Sequence, residues 1–244
     1  MRIPVIQGII ERRILANYRV APERIAPLLP EPFRPQLFQG FAIAGICLIR
    51  LKQVRPKFLS LPIGIGSENA AHRIAVEWDV DGTLRQGVYI PRRDSSSRLN
   101  AFVGGTLFPG EHHLAKFDVL ETPLTLSVTA QSKDGKMQVH VSGKVSDALP
   151  ETSLFPSLQS ASEFFAQGSL GYSVTSEPGR FDGLELRCAT WKVEPLAVEQ
   201  IQSSFFDDRT LFPEGSVHFD CALLMQDIQH EWHGREDICQ PITS

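Results

Sequence analysis

Prolines and glycines, 17 and 18 of them in 244 residues, cut this chain into short apolar or alternating runs and leave little unbroken length for long helices. Most of these runs read as strands. "RRILANYRV" (12–20) opens the series, and "FAIAGICLIRL" (41–51), apolar on both faces and partly β-branched, has the character of a central strand covered on both sides. "AHRIAVEWDV" (71–80) and "QGVYIPRR" (86–93) make a hairpin about Asp81-Gly82, with a slightly long loop. "PLTLSVTAQS" (123–132) and "KMQVHVSGKV" (136–145) make another about "KDGK". "HHLAKFDV" (112–119), "LELRCATWKVEPL" (184–196) and "SVHFDCALLMQDIQHEW" (216–232) supply further strands. Short helices are expected over 22–30, within 94–105, where Asp94 or a serine can cap, and within 160–174 before Gly168. The expectation is a mainly β (α+β) fold, one domain over 1–244, with a mostly antiparallel sheet closing as a barrel or sandwich.

Several function classes fall away on composition. Charged residues are 21%, the formal net charge is -4 and no run of like charge occurs, so the basic footprint of a nucleic-acid binder is missing. No stretch of about 18 apolar residues and no signal-peptide pattern is present, so a cytoplasmic protein without a membrane span is expected. Cys47, Cys188, Cys221 and Cys239 are scattered without CxxC spacing, which argues against a disulfide framework or a structural zinc site.

The candidate chemistry is concentrated in three segments. In "LFPGEHHLAKFDV" strand alternation puts His112, Lys116 and Asp118 on one face and His113 on the other, so the two histidines cannot chelate one metal together. His112 is the candidate general acid or base, because imidazole changes charge near neutrality. Lys116 is either a substrate-binding amine or the partner of Asp118. "PRRDSSSRLN" gathers Arg92, Arg93 and Arg98 beside hydroxyl groups and is the best anion-binding segment, with one arginine facing a pocket and the others water; Arg92 and Arg98 are the substrate-binding candidates. The alternative is that these arginines pair with Glu77, Asp79 and Asp94. "SENAAHRIAVEW" holds Glu68 and His72; His72 shares an inward face with Ile74 and Val76, as a core histidine with its hydrogen bonds satisfied, and Arg73 with Glu77 looks outward. His230 and His233 have HxxH spacing in a run that reads as a strand, and neither HExxH nor GxSxG occurs.

"PLLPEPFRPQLFQGFAIAGICLIRL" followed by "GVYIPRRDSSSRLNAFVGGTLFPGEHHLAKFDV" resembles a family of uncharacterised bacterial proteins in the acetoacetate decarboxylase-like superfamily. The resemblance covers most of the chain in the order of its elements, carried mainly by Pro, Gly and apolar positions. It implies a cone-shaped, nearly closed antiparallel β-structure with flanking helices, an internal small-molecule pocket and a homo-oligomer. In true acetoacetate decarboxylases a segment Phe-Pro-Lys-Lys-Leu-Ala supplies the Schiff-base lysine and the lysine that lowers its pKa. The matching stretch here is "GEHHLA", so His112 and His113 stand at those two positions and the resemblance implies that the nucleophile is missing. Lys116, about 13 Å further along the strand, is no replacement. By the order of elements the family's catalytic glutamate falls nearest Glu68 and His72, which the resemblance therefore implies as substrate-binding candidates.

The combined expectation is a protein that binds a small organic acid, without cofactor or metal, and performs lyase or isomerase acid/base chemistry through His112. A non-enzymatic binding or sensing module and a metal-assisted hydrolase are the alternatives.

Overall fold

The computed structural model describes residues 4–58, 64–97 and 110–240. Its first half holds β1 (Ile6–Val20), a short helix α1 (Pro22–Ile25) running into a 3-10 turn, the two-residue strands β2 (Arg34–Pro35) and β3 (Leu37–Phe38), and the long β4 (Phe41–Pro56). Then come β5 (Ile65–Val80), β6 (Thr83–Ser95), β7 (His112–Glu121), β8 (Thr125–Ser132) and β9 (Gln138–Val145). The second half contributes helix α2 (Leu158–Gln167), β10 (Leu170–Val174), β11 (Arg180–Cys188), β12 (Glu194–Ser203) and β13 (Val217–Cys239).

All the strands belong to one sheet that closes twice. The main path runs β11-β10-β6-β7-β8-β9-β12-β13-β1-β4-β5-β2, and two additional pairings, β11 with β13 and β5 with β6, seal it. A smaller ring therefore follows β13-β1-β4-β5-β6-β10-β11 back to β13, and a larger ring follows β6-β7-β8-β9-β12-β13-β1-β4-β5 back to β6. The strands β13, β1, β4, β5 and β6 serve both. Closure removes the open edges that would otherwise template pairing with another chain. Among the described residues only β6 with β7 and β6 with β10 pair in parallel.

Sharing explains the sequence of β4. Ala42 through Leu48 are all buried, because one face looks into each ring. Ala42, Ala44, Ile46 and Leu48 join the core of the larger ring with Val128, Val139, Val141 and Phe206, whereas Ile43 and Cys47 join that of the smaller with Phe164 and Phe165. A strand with only one covered face would alternate; this one cannot.

Connections show where local signals held and where they did not. Asp81 and Gly82, both at positive φ (50° and 74°), form a two-residue turn between β5 and β6, so the loop is tighter and the strands longer than expected. Asp94 and Ser95 end β6 instead of capping a helix; residues 98–105, where the rest of that expected helix falls, lie outside the described residues. The run 184–196 is not one strand. It breaks between Cys188 and Glu194, where Trp191 donates an indole hydrogen bond to Ser162 Oγ at 3.0 Å, and the break carries the chain from the smaller ring (β11) to the larger (β12). Among the described residues no helix is long and apolar enough to cross a membrane.

Helix α2 lies against the smaller ring. Ser157 caps it, its hydroxyl accepting from Ser160 N–H at 3.1 Å, and Ala161, Phe164 and Phe165 turn inward. Phe38, Phe155, Phe164 and Phe165 pack ring to ring with centroid distances of 4.5 to 5.6 Å.

Candidate active site in the smaller ring

Three arginines turn their side chains into a cavity of about 130 Å³ inside the smaller ring. Strand register explains how. Across β1, β4 and β5 the row Asn17–Gly45–Arg73 lies beside the row Leu15–Cys47–Ala71, which β6 extends with Arg93, and the next row is Arg13–Ile49–Asn69. Positions two apart on a strand share a face, so Arg13, Arg73 and Arg93 all belong to the face that bounds this ring. His112, which starts β7 opposite Arg93 in a parallel pairing, also lines the cavity. Ile49, Leu51, Val88, Ile90, Leu184 and Leu186 make its apolar wall.

Each guanidinium is held by neutral groups. Arg13 Nε donates to Cys47 Sγ at 3.3 Å and its Nη1 to Met225 Sδ at 3.9 Å. Arg73 Nη2 donates to Asn17 Oδ1, and its guanidinium sits 4.9 Å from the Phe165 ring centre. Arg93 Nε donates to Ser173 Oγ at 2.8 Å. Among the described residues none of the three has a carboxylate within ion-pair distance. Burial pulls Arg73 and Arg93 down to about 10, which leaves both charged at neutral pH. Arg73 Nε is buried without a hydrogen-bond partner among the described residues. A buried cation without a counter-ion is costly, and such a cost is recovered when an anion enters.

The other sequence candidates stand elsewhere. Arg92 points to the opposite face of β6, where it makes a fork to Asp94 (2.9 Å twice) and also reaches Asp134 (2.9 Å). His113 joins that group, 3.7 Å from Asp134. Glu68 binds Arg12, which is fully buried, at 2.6 Å and also pairs with Arg50, in a cluster that includes Glu121. His72 is buried in the larger ring against Phe205 and Phe206, at centroid distances of 5.2 and 6.2 Å, and burial with the nearby Arg92 charge lowers it to about 4. Lys116 is exposed, opposite Gln131. Arg98 lies outside the described residues.

Arg73 corrects the expectation that it looks outward with Glu77: it is 7% exposed, because the face it occupies borders the smaller ring rather than water. Glu77 instead pairs with Arg34 at 2.9 Å, as does Asp79 at 2.7 Å. The available signal for Arg13 and Arg73 was slight: each opens an apolar run, "ILA" and "IAV", but each follows a polar residue, Arg12 and His72. Among the described residues no three of His, Cys, Asp and Glu gather to hold a metal ion, and no lysine is among the described residues that line the cavity. A wider, more open depression of about 370 Å³, around Gln7, Gln53, Cys188 and His230, has its carboxylate, Glu231, already paired with Lys57 and His233.

Comparison with solved structures supports the architecture. An acetoacetate decarboxylase from Legionella pneumophila superposes with a TM-score of 0.64 at 10% identity, over 99% of this chain and 90% of that one. An acetoacetate decarboxylase-like enzyme from Sphingomonas wittichii RW1 gives 0.59 at 12% identity, over 97% and 93%. An enduracididine biosynthesis enzyme, solved with the condensation product of pyruvate and imidazole 4-carboxaldehyde, gives 0.60 at 13% identity, over 100% and 92%. At these identities the likeness establishes the fold alone: this is an acetoacetate decarboxylase-like fold. No curated protein matches the sequence. A family model described as an uncharacterized conserved protein matches residues 10–222, so the chain belongs to that family, DUF2071.

Proposed function

We propose that the smaller ring binds a small organic carboxylate and that His112 moves a proton on it, in lyase- or isomerase-type acid/base chemistry. The observation that carries this reading is the convergence of Arg13, Arg73 and Arg93, held by neutral groups, with His112 on one partly open cavity. Guanidinium forks match carboxylate geometry, and in a low-dielectric enclosure their hydrogen bonds to an anion are strengthened. His112, beside Arg93 in the register, is then placed to act next to the held carboxylate. An imidazole is suited to taking or giving a proton near neutral pH. It does not form the iminium of an amine nucleophile, so the reading is proton transfer rather than Schiff-base decarboxylation. The solved enduracididine enzyme that shares the fold binds a pyruvate-derived product, which is consistent with a small keto or hydroxy acid as ligand.

The test combines binding and exchange. A thermal-shift screen with small keto, hydroxy and aromatic carboxylates is followed by NMR of α-proton exchange in D2O for those that bind. Binding by the wild type, with exchange that His112→Ala abolishes, is the expected result. Binding with no exchange in either protein leaves the ring as a ligand-binding module, and no binding at all overturns the proposal.

A further inference from the structure

Resting on the reading of the smaller ring as a carboxylate site, we infer that its ligand is a short-chain dicarboxylate rather than a monocarboxylate. The charge count in the cavity leads there. Arg13, Arg73 and Arg93 bring three positive charges, and every acceptor that fixes them is neutral: a thiol, a thioether, a side-chain amide and a hydroxyl. Those contacts set the direction of each fork without consuming its charge.

The carboxylates nearby are few and committed. Among the described residues Asp94 lines the cavity, but both of its carboxylate oxygens accept from Arg92, whose charge it balances. Asp182 is the carboxylate whose charge reaches Arg93, while its Oδ2 accepts from Gly110 N–H at 3.0 Å and its Oδ1 lies 3.9 Å from Arg180 Nε. Crediting Asp182 wholly to the cavity still leaves two uncompensated positive charges. Arg73 is buried and Arg13 and Arg93 are half-buried, so a monoanion would leave one of these charges uncompensated beside the cavity, and a dianion leaves none.

The arrangement also favours two separated charges over one compact anion. Arg13 stands on β1 and Arg93 on β6, with β4 and β5 between them, so their backbones are about 14 Å apart at a strand spacing of roughly 4.8 Å. On β4 and β5 between them the wall is formed by Cys47, Ile49 and Ala71 with Asn69 and Arg73, and Val88 and Ile90 continue its apolar part along β6. Two anionic ends joined by a short methylene body fit that pattern. The cavity, about 130 Å³, is below the roughly 300–1,000 Å³ of drug-sized sites and limits the body to a few carbons.

The probes are succinate, its monomethyl ester, and inorganic phosphate, titrated calorimetrically into the full chain at constant ionic strength. The expected result is a dissociation constant for succinate roughly ten- to hundred-fold below that of the ester, which keeps the four-carbon backbone, adds one methyl group and carries one charge fewer. Arg73→Met and Arg93→Met should each bring that ratio toward one. Equal affinities for succinate and ester overturn the dicarboxylate inference and leave the carboxylate site standing. Phosphate binding tighter than succinate overturns it in favour of a compact anion. If neither organic acid binds, this inference and the proposed function fall together.

Discussion

Arg73 Nη2 donates to Asn17 Oδ1 across Gly45, the three residues forming one row over β1, β4 and β5. The arginine reaches over a position without a side chain to a neutral partner two strands away, and keeps its charge for the cavity. A Cβ at Gly45 would come 2.4 Å from the Ala16 carbonyl oxygen and 3.3 Å from Asn17 Cα, both backbone atoms. Gly45→Ala should therefore cost about 2 kcal/mol in denaturant unfolding and weaken carboxylate binding, because β1 must shift and Asn17 with it. Unchanged stability would mean that the two strands separate freely there.

Arg73 and Arg93 should behave as residues kept for ligand rather than for folding. With no counter-ion among the described residues, replacing either by methionine removes a buried charge at the expense of one neutral hydrogen bond. Stability of Arg73→Met and Arg93→Met should stay within about 1 kcal/mol of wild type or rise, while carboxylate affinity falls. A loss above about 2 kcal/mol in urea titration would assign them a structural role.

Glu68 should give the opposite pattern. Its carboxylate holds Arg12, which is fully buried, at 2.6 Å, and Arg12 is otherwise bound to Glu121 at 3.1 Å. Glu68→Ala leaves that cation half-compensated and should cost about 3 kcal/mol, measured by chemical denaturation, with the affinity of the folded protein for carboxylates unchanged.

Buried neutral histidines set a pH dependence. Burial, with Arg92 adding, lowers His72 to about 4, against about 6.5 in an unfolded chain. Between those values the unfolded state binds the proton and the folded state does not, so the stability is complete above pH 6.5 and is lost progressively as the pH falls toward 4. By pH 5 the loss from this one residue is on the order of 2 kcal/mol. His230, lowered to about 4 chiefly by burial, adds a second loss over the same window. In His72→Leu the fall in stability between pH 7 and pH 5 should be smaller by about 2 kcal/mol; an unchanged fall would show that His72 takes up its proton in the folded state.

Much of the fold was legible along the chain. The punctuation by proline and glycine, the place of the turn at Asp81-Gly82, though not its two-residue length, and the continuous apolar run of β4 are local properties, and each marks its element because the backbone there answers to its own residues. Alternation also fixed which residues share a face. It separated His112 from His113, and His112 lines the cavity while His113 turns to Asp134; it did not tell that Arg93 rather than the candidate Arg92 faces the cavity.

What the sequence could not decide is which space a given face borders. In a strand shared by two closed rings both faces are interior, so parity puts His72 and Arg73 on opposite sides without saying that one meets a phenylalanine core and the other a charged cavity. Arg13, Arg73 and Arg93 lie on three strands and meet only because β5 pairs with β6 and β11 with β13, contacts between distant segments that close the smaller ring. The residues determined strands, turns and faces by themselves; the ring closures alone brought three isolated arginines and His112 around one cavity, because convergence depends on pairing between segments and not on any run of the chain.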